Sequence, residues 1–276
     1  MVTARRWARS VGMAALILTA ATGCAVAVPG PAPSDAAIPA TADPVSASEA
    51  TSSEVPPSLS DVTAGTVIAS GAFLGRGTDG RIEITANGAD HGFDVALIGV
   101  SPAPPNGTSL ELNALPATAT DEELQQGFSY YTDNPLQQVA DQTLAMPSSG
   151  YGGFETNDPS YMRTAVIWAA SPGAPVGLGS VVATAALTWD LPDMNPGLAV
   201  VDRGPDDGAR GAVTLAPDGT PSTYRVAWGD TPDGITERFG ITLDDLEWLN
   251  PDRLTTRLVL ADLTLNLARG SRGLRG

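Results

Sequence analysis

The sequence predicts a mainly-β central domain, a β-sandwich or open barrel, followed by a small α+β module of order β-α-α-β. Three observations predict it. Short runs of alternating apolar and polar residues recur between residues 62 and 203, as in Arg81-Ile82-Glu83-Ile84-Thr85, where Ile82 and Ile84 share one face of a strand. Gly, Pro and Asn-Gly steps punctuate these runs with turn geometry. Beyond residue 223 the punctuation changes to helix caps, with Thr231-Pro232, Gly240 and Thr242 in close succession.

In the central domain, Phe93, Val95 and Leu97 alternate beyond Asn87-Gly88, and Leu110 and Leu112 follow Asn106-Gly107. Residues 161–170 and 179–190, rich in Val, Ile, Thr and Trp, read as two longer strands. One helix is predicted over residues 121–127, with Thr120 as its cap and Glu123 completing a capping box; residues 134–144 form a second helix candidate. Tyr130-Tyr131, Tyr151 and Phe154 stand among Gly, Ser and Asn in what reads as a long loop, either as an exposed partner surface or as anchors folded back into the core. Residues 204–222 place a short strand over 212–215 between two turn signals and read as a linker hairpin.

In the C-terminal module, residues 223–268, Tyr224-Arg225-Val226-Ala227-Trp228 reads as a strand. Thr231 is an N-cap with Pro232 at the first helical position, and Gly240 supplies a left-handed cap. Thr242 opens a second helix with Asp245 at its third position and Ile241 and Leu246 as a hydrophobic staple. Leu243, Leu246 and Leu249 fall on one face, Asn250-Pro251 ends the helix, and residues 257–267 return as a strand. Arg269, Arg272 and Arg275, in the tail of residues 269–276, read as solvent-exposed.

The N-terminal region differs from all of this. Arg5, Arg6 and Arg9 precede an apolar stretch over residues 11–21 that is short for a membrane span, and it leads into Ala21-Thr22-Gly23-Cys24. These residues resemble a bacterial lipobox. The resemblance implies a signal peptide over residues 1–23, removal before Cys24, and diacylglycerol with further acylation such as palmitate on that residue. Cys24 is the sole cysteine, so no internal disulfide is available. Residues 24–61, dominated by Ala, Pro, Ser and Thr, read as a disordered, extended spacer.

The chain has 15 basic residues, all Arg, against 31 acidic ones, a formal net charge of -16. Three arginines and no acidic residue precede Cys24, which leaves 12 basic groups facing all 31 acidic ones. This field disfavours nucleic acid, whose phosphates reward clustered cations. The Lys-free composition rich in Ala, Gly, Pro and Arg resembles the high-GC actinobacterial type.

Within the C-terminal module, Tyr224-Arg225-Val226, Gly229-Asp230-Thr231, Ile235, Arg238-Phe239-Gly240-Ile241-Thr242, Leu246, Asn250-Pro251 and Leu263-Thr264-Leu265 together resemble the lysin motif, or LysM. It departs from the family pattern at Pro232, Thr236 and Ala261-Asp262. The resemblance implies a β-α-α-β fold that binds peptidoglycan or a related N-acetylglucosamine polymer in a shallow groove. Carried onto this sequence, Gly229, Asp230, Thr231 and Pro232 would face Asn250, Pro251 and Asp252 across that groove. The same residue types also serve as turns, caps and helix terminators.

Catalytic schemes find little support. A zinc hydrolase in its usual forms needs at least two imidazoles, whereas His91 is the sole histidine and reads as a turn residue. A Cys/His pair fails if Cys24 is lipidated, and no Gly-x-Ser-x-Gly elbow is present. A pair of glycosidase carboxylates is not readable from sequence; Asp121, Glu122 and Glu155 are candidates near loops. The expectation is a non-catalytic, cofactor-free envelope lipoprotein on the outer face of the cytoplasmic membrane, bound to cell-wall peptidoglycan through its module. Two alternatives stay open: an envelope protein-interaction scaffold whose C-terminal module is structural, and a peptidoglycan-acting glycosidase.

Overall fold

A computed structural model describes residues 57–74, 77–88, 92–132, 135–146, 158–170, 179–251 and 259–274. Cys24, His91, Tyr151, Phe154, Glu155, Asp252 and Arg275 lie outside the described residues, as do the expected signal peptide and nearly all of the expected spacer. Ser53–Gly276 forms one compact unit that contains every core residue.

Alternation builds the central sheet. Its strands are β1 (Val67–Leu74), β2 (Asp79–Ala86), β3 (Phe93–Ser101), β4 (Thr108–Asn113), β5 (Ser129–Tyr131), β6 (Gln142–Ala145), β7 (Thr164–Ala170), β8 (Gly179–Ala186) and β9 (Thr188–Trp189). The spatial order is β5-β4-β7-β8-β1-β2-β3-β6, with β9 on β1. Every pairing is antiparallel. The path ends at β5 and β6 without closing, so the sheet is an open half-barrel rather than two stacked sheets.

Ile82, Ile84, Val95, Leu97, Leu110, Leu112, Ala165, Ile167, Ala183 and Ala185 all turn into one core. This is the period-2 inward set of the strands. Strand β1 serves both halves of the sheet: Ala69 and Ser70 pair with β9, whereas Phe73 and Leu74 pair with β8. Gly71 sits at this change of partner, where a Cβ would come within 2.4 Å of the Ala186 carbonyl oxygen. The backbones therefore approach as only glycine permits.

On the outer face, helix α1 (Asp121–Gln126) covers Val166, Trp168 and Val181 with Leu124. Its capping box forms as the sequence predicts: Thr120 Oγ1 accepts from the Glu123 amide at 3.3 Å, and the Thr120 amide donates to Glu123 Oε2 at 2.7 Å.

The C-terminal module has its own core and its own three-stranded sheet. Strands β10 (Ala212–Leu215), β11 (Pro221–Arg225) and β12 (Thr264–Asn266) lie in the order β10-β11-β12. Helices α2 (Pro232–Phe239) and α3 (Leu243–Leu249) connect β11 to β12. Thr231 caps α2, Gly240 ends it at φ 66°, and Thr242 with Asp245 forms the capping box of α3. Tyr224, Val226, Ile235, Phe239, Leu246, Leu265 and Leu267 fill the core between helices and sheet.

Three sequence expectations are corrected. The described part of the expected helix over 134–144, residues 135–144, is not helical: Gln142–Ala145 is strand β6 on the edge of β3, where it satisfies backbone groups that β3 would otherwise leave unpaired. Tyr130 and Tyr131 belong to strand β5 rather than to a long loop, and Tyr130 is buried, its hydroxyl accepting from Tyr161 at 3.1 Å.

The third concerns the tail. Arg272 is 2% exposed and pairs with the buried Asp158 at 2.8 Å. Its guanidinium lies between the rings of Trp248 and Tyr161, 4.1 and 4.7 Å from their centroids, a stacking that matches its planar, weakly hydrated charge. Arg269 is exposed, as expected, and pairs with Asp193 at 2.7 Å.

Candidate functional site

The residues that the LysM resemblance singles out gather where β11 passes into α2 and where α3 ends. The sequence folds locally here for clear reasons. The Asp230 amide closes a turn onto the Ala227 carbonyl at 3.2 Å, and Gly229, the third residue of that turn, takes φ 88°, the position where a turn with positive φ favours glycine. Pro232 then occupies the first helical position, where its missing N–H costs nothing.

Asp230 turns inward. Its Oδ2 accepts from the Ala227 amide at 2.7 Å, from the Gly211 amide at 3.2 Å and from the Tyr224 hydroxyl, while Oδ1 accepts from the Arg210 amide at 2.8 Å. Burial pushes the Asp230 carboxyl upward, but these donors outweigh it and hold it below the usual carboxylate range. Burial, and then the neighbouring Asp230 carboxylate, raise the Tyr224 phenol well above its ordinary value. The carboxylate thus fastens three segments together: the strand end, the turn and the residues ahead of β10.

Thr231 Oγ1 accepts from the Gly234 amide at 3.1 Å, and the Thr231 amide donates to the Gly208 carbonyl at 2.8 Å. Gly208 and Gly234 pack so closely that a Cβ on Gly234 would stand 2.5 Å from the Gly208 oxygen. At the other end of the helices, Asn250 is 1% exposed. Its Nδ2 donates to Leu246 and Asn266 carbonyls at 2.9 and 3.0 Å, and its Oδ1 accepts from the Asn266 amide at 2.7 Å. Asn250 therefore bolts α3 to β12. Pro251 beside it is buried.

The structure thus places Asp230, Thr231 and Asn250 in internal hydrogen bonds, and Pro232 and Asp233 at the start of α2. What faces outward at this end is different. Trp228, the second residue of the 227–230 turn, is 92% exposed, and Leu260, in a neighbouring turn, is 70% exposed. In the sequence, Trp228 reads only as the end of a strand. Its signal was a lone large aromatic directly before a turn glycine, where no core position is available to it.

Segment 202–211 braces the same region. Asp202 makes a two-point contact with Arg238, 2.7 Å from Oδ1 to Nε and 3.0 Å from Oδ2 to Nη2, and Arg238 Nη1 also donates to the Ala209 and Gly211 carbonyls. The Arg238 side chain holds the Asp202 carboxyl below its ordinary range.

The catalytic alternatives gain little from the geometry. Asp121 and Glu122 lie in the acidic first turn of α1, where carboxylates complement the helix dipole. The open cleft beside that helix, about 640 Å³ and lined by Glu123, Gln126, Phe128 and Gly273 among others, presents one carboxylate, and it is the one that caps Thr120. Among the described residues no group of three or more His, Cys, Asp or Glu is placed to hold a metal ion, and no helix is long and apolar enough to cross a membrane. No family model, no curated protein and no solved structure matches this chain.

Proposed function

We propose that the chain is a membrane-anchored cell-envelope lipoprotein that binds the N-acetylglucosamine-containing glycan of peptidoglycan through its C-terminal module, without catalysis. The observation that carries this reading is the β11-α2-α3-β12 order, with Thr231, Gly240 and Thr242 capping the helices at the positions that the LysM-like residues occupy. In this reading the module is a LysM domain, Cys24 carries the lipid on the outer face of the cytoplasmic membrane, and the segment behind it spans toward the wall. The stable lipid anchor then raises the effective concentration of a single, weakly binding module at the wall.

The test is co-sedimentation of residues 53–276, the compact unit, with purified cell-wall peptidoglycan. Enrichment in the pellet over an unrelated acidic protein is expected, with no soluble fragments released; no enrichment would sink the glycan reading. Incorporation of a labelled fatty acid into the full chain, lost in Cys24→Ser, is the corresponding test of the anchor.

One observation favours a second reading, in which the module is a structural prop of an envelope protein-interaction scaffold. Asp230, Thr231 and Asn250 are all engaged in bonds within the fold, so helix and turn duties alone account for them. Under that reading the same sedimentation gives no enrichment.

A further inference from the structure

We propose that the indole of Trp228 is the platform on which this module stacks a neutral pyranose ring; the proposal deepens the glycan-binding reading above and rests on it. The polar groups that the resemblance offers to a sugar are largely engaged: the Asp230 carboxylate with three amides and a phenol, the Thr231 amide with Gly208, the Asn250 amide group with α3 and β12. Contact with a ligand at this end therefore depends on what remains outside. That is a tryptophan with nearly its whole surface in water, 92% exposed, in a chain whose other described tryptophans are covered or half-covered.

The ring stands on a firm base. The turn that carries it is held by Asp230 on one side, and on the other the Asp262 amide donates to the Val226 carbonyl at 2.9 Å, tying the 260–263 turn beside it. With the turn backbone fixed, ordering the indole on binding costs only its two side-chain torsions. The C–H bonds on the face of a pyranose carry partial positive charge and meet the negative face of an indole, while their apolar area is withdrawn from water. Leu260, 70% exposed, lies in the turn that Val226 fastens and is a second apolar side chain in water at this end of the module.

Charge selects among the ligands that an exposed indole attracts. Asp233 stands in the first turn of α2, and the exposed Asp262 pairs with Arg225 at 2.8 Å. Asp233, with a chain charge of -16 behind it, repels an anionic lipid surface, where interfacial tryptophans otherwise sit, and leaves an uncharged sugar unaffected. The ligand class is accordingly an uncharged sugar face, which under the glycan-binding reading is that of an N-acetylhexosamine polymer.

The experiment compares residues 53–276 with their Trp228→Ala and Trp228→Tyr variants on three probes: purified peptidoglycan, chitin, and vesicles rich in phosphatidylglycerol. The thermal midpoint serves as the folding control, which an exposed side chain leaves in place. Expected is about a tenfold loss of glycan affinity in Trp228→Ala, with most of it retained in Trp228→Tyr. Peptidoglycan binding equal in parent and Trp228→Ala overturns the platform and leaves the wall reading standing. Trp228-dependent binding to chitin but none to peptidoglycan does the reverse. Binding to neither polymer overturns both, and Trp228-dependent binding to the vesicles alone assigns the ring to lipid and overturns the proposal.

Discussion

Glu111 and Asp230 are both carboxyl groups turned into the fold, and their surroundings push them in opposite directions. Glu111 is 1% exposed on the outer face of β4, where burial raises its pKa against the opposing effect of hydrogen bonds led by Asn113 Nδ2 at 2.7 Å; Ser129, Trp168 and Tyr131 also face it. Its folded value stands above the unfolded one, so the stability tied to the protonated form is complete below the unfolded value and is lost as pH rises through the folded one. Replacing the group by an amide, Glu111→Gln, removes that loss. Urea midpoints of variant and parent should therefore diverge, in the variant's favour, as pH is raised from about 4 to about 8, a window that spans the ordinary carboxylate range and the raised one. Asp230 has the opposite sign: its depressed pKa contributes stability above the unfolded value that is lost as pH falls through the folded one. Asp230→Asn keeps the shape but removes the charge and replaces one accepting oxygen by an amide NH2 that faces a backbone donor, and should cost about 2 kcal/mol in urea unfolding at neutral pH.

Helix α3 shows how far a local signal reaches. Thr242 Oγ1 accepts from the Asp245 amide at 3.1 Å, and Asp245 Oδ2 accepts from the Thr242 amide at 2.8 Å, so two otherwise orphaned donors are satisfied within four residues. Thr242→Ala should lower stability by about 1 kcal/mol, visible as a drop in thermal midpoint with unchanged far-UV dichroism. Elements governed by such short-range chemistry were legible in the sequence: α1 from Thr120 and Glu123, α2 from Thr231 and Gly240, and β2 and β3 from their alternation. Strand β6 was not, because Gln142–Ala145 is extended only by virtue of its pairing with β3, and Tyr130 lies buried only because β5 docks on β4 and Tyr161 arrives beneath it. The candidate site divides along the same line. The turn and caps around Asp230, Thr231 and Asn250 were readable, but not that Gly208 and Gly211, from a segment that reads as a linker, reach back to occupy the Thr231 amide and the Asp230 carboxylate.

The two cores, one inside the open sheet and one between β10-β11-β12 and its helices, are joined at a polar clamp rather than by a shared apolar interface. Asp158 and Arg272 form its centre, both nearly free of solvent. Trp248 Nε1 donates to Asp158 at 3.1 Å, Arg272 Nε donates to the Trp248 carbonyl at 2.6 Å, and Arg163 donates to the Arg272 and Gly270 carbonyls at 3.1 and 2.9 Å. Asn195 to Asp245 and Arg269 to Asp193 add outer fastenings. A buried ion pair of this kind contributes little over an apolar replacement, but removal of one partner strands the other charge and typically costs about 3–5 kcal/mol. Arg272→Ala should therefore be far more harmful than the double change Asp158→Asn with Arg272→Met, which leaves no uncompensated charge. Because each half keeps its own core, the single change should release the clamp before either core melts. The parent is expected to unfold in one transition by both tryptophan fluorescence and far-UV dichroism, and Arg272→Ala in two that no longer coincide. A single coincident transition at the parent's midpoint in Arg272→Ala would show that the clamp couples nothing, and that the two cores are held together by the outer fastenings alone.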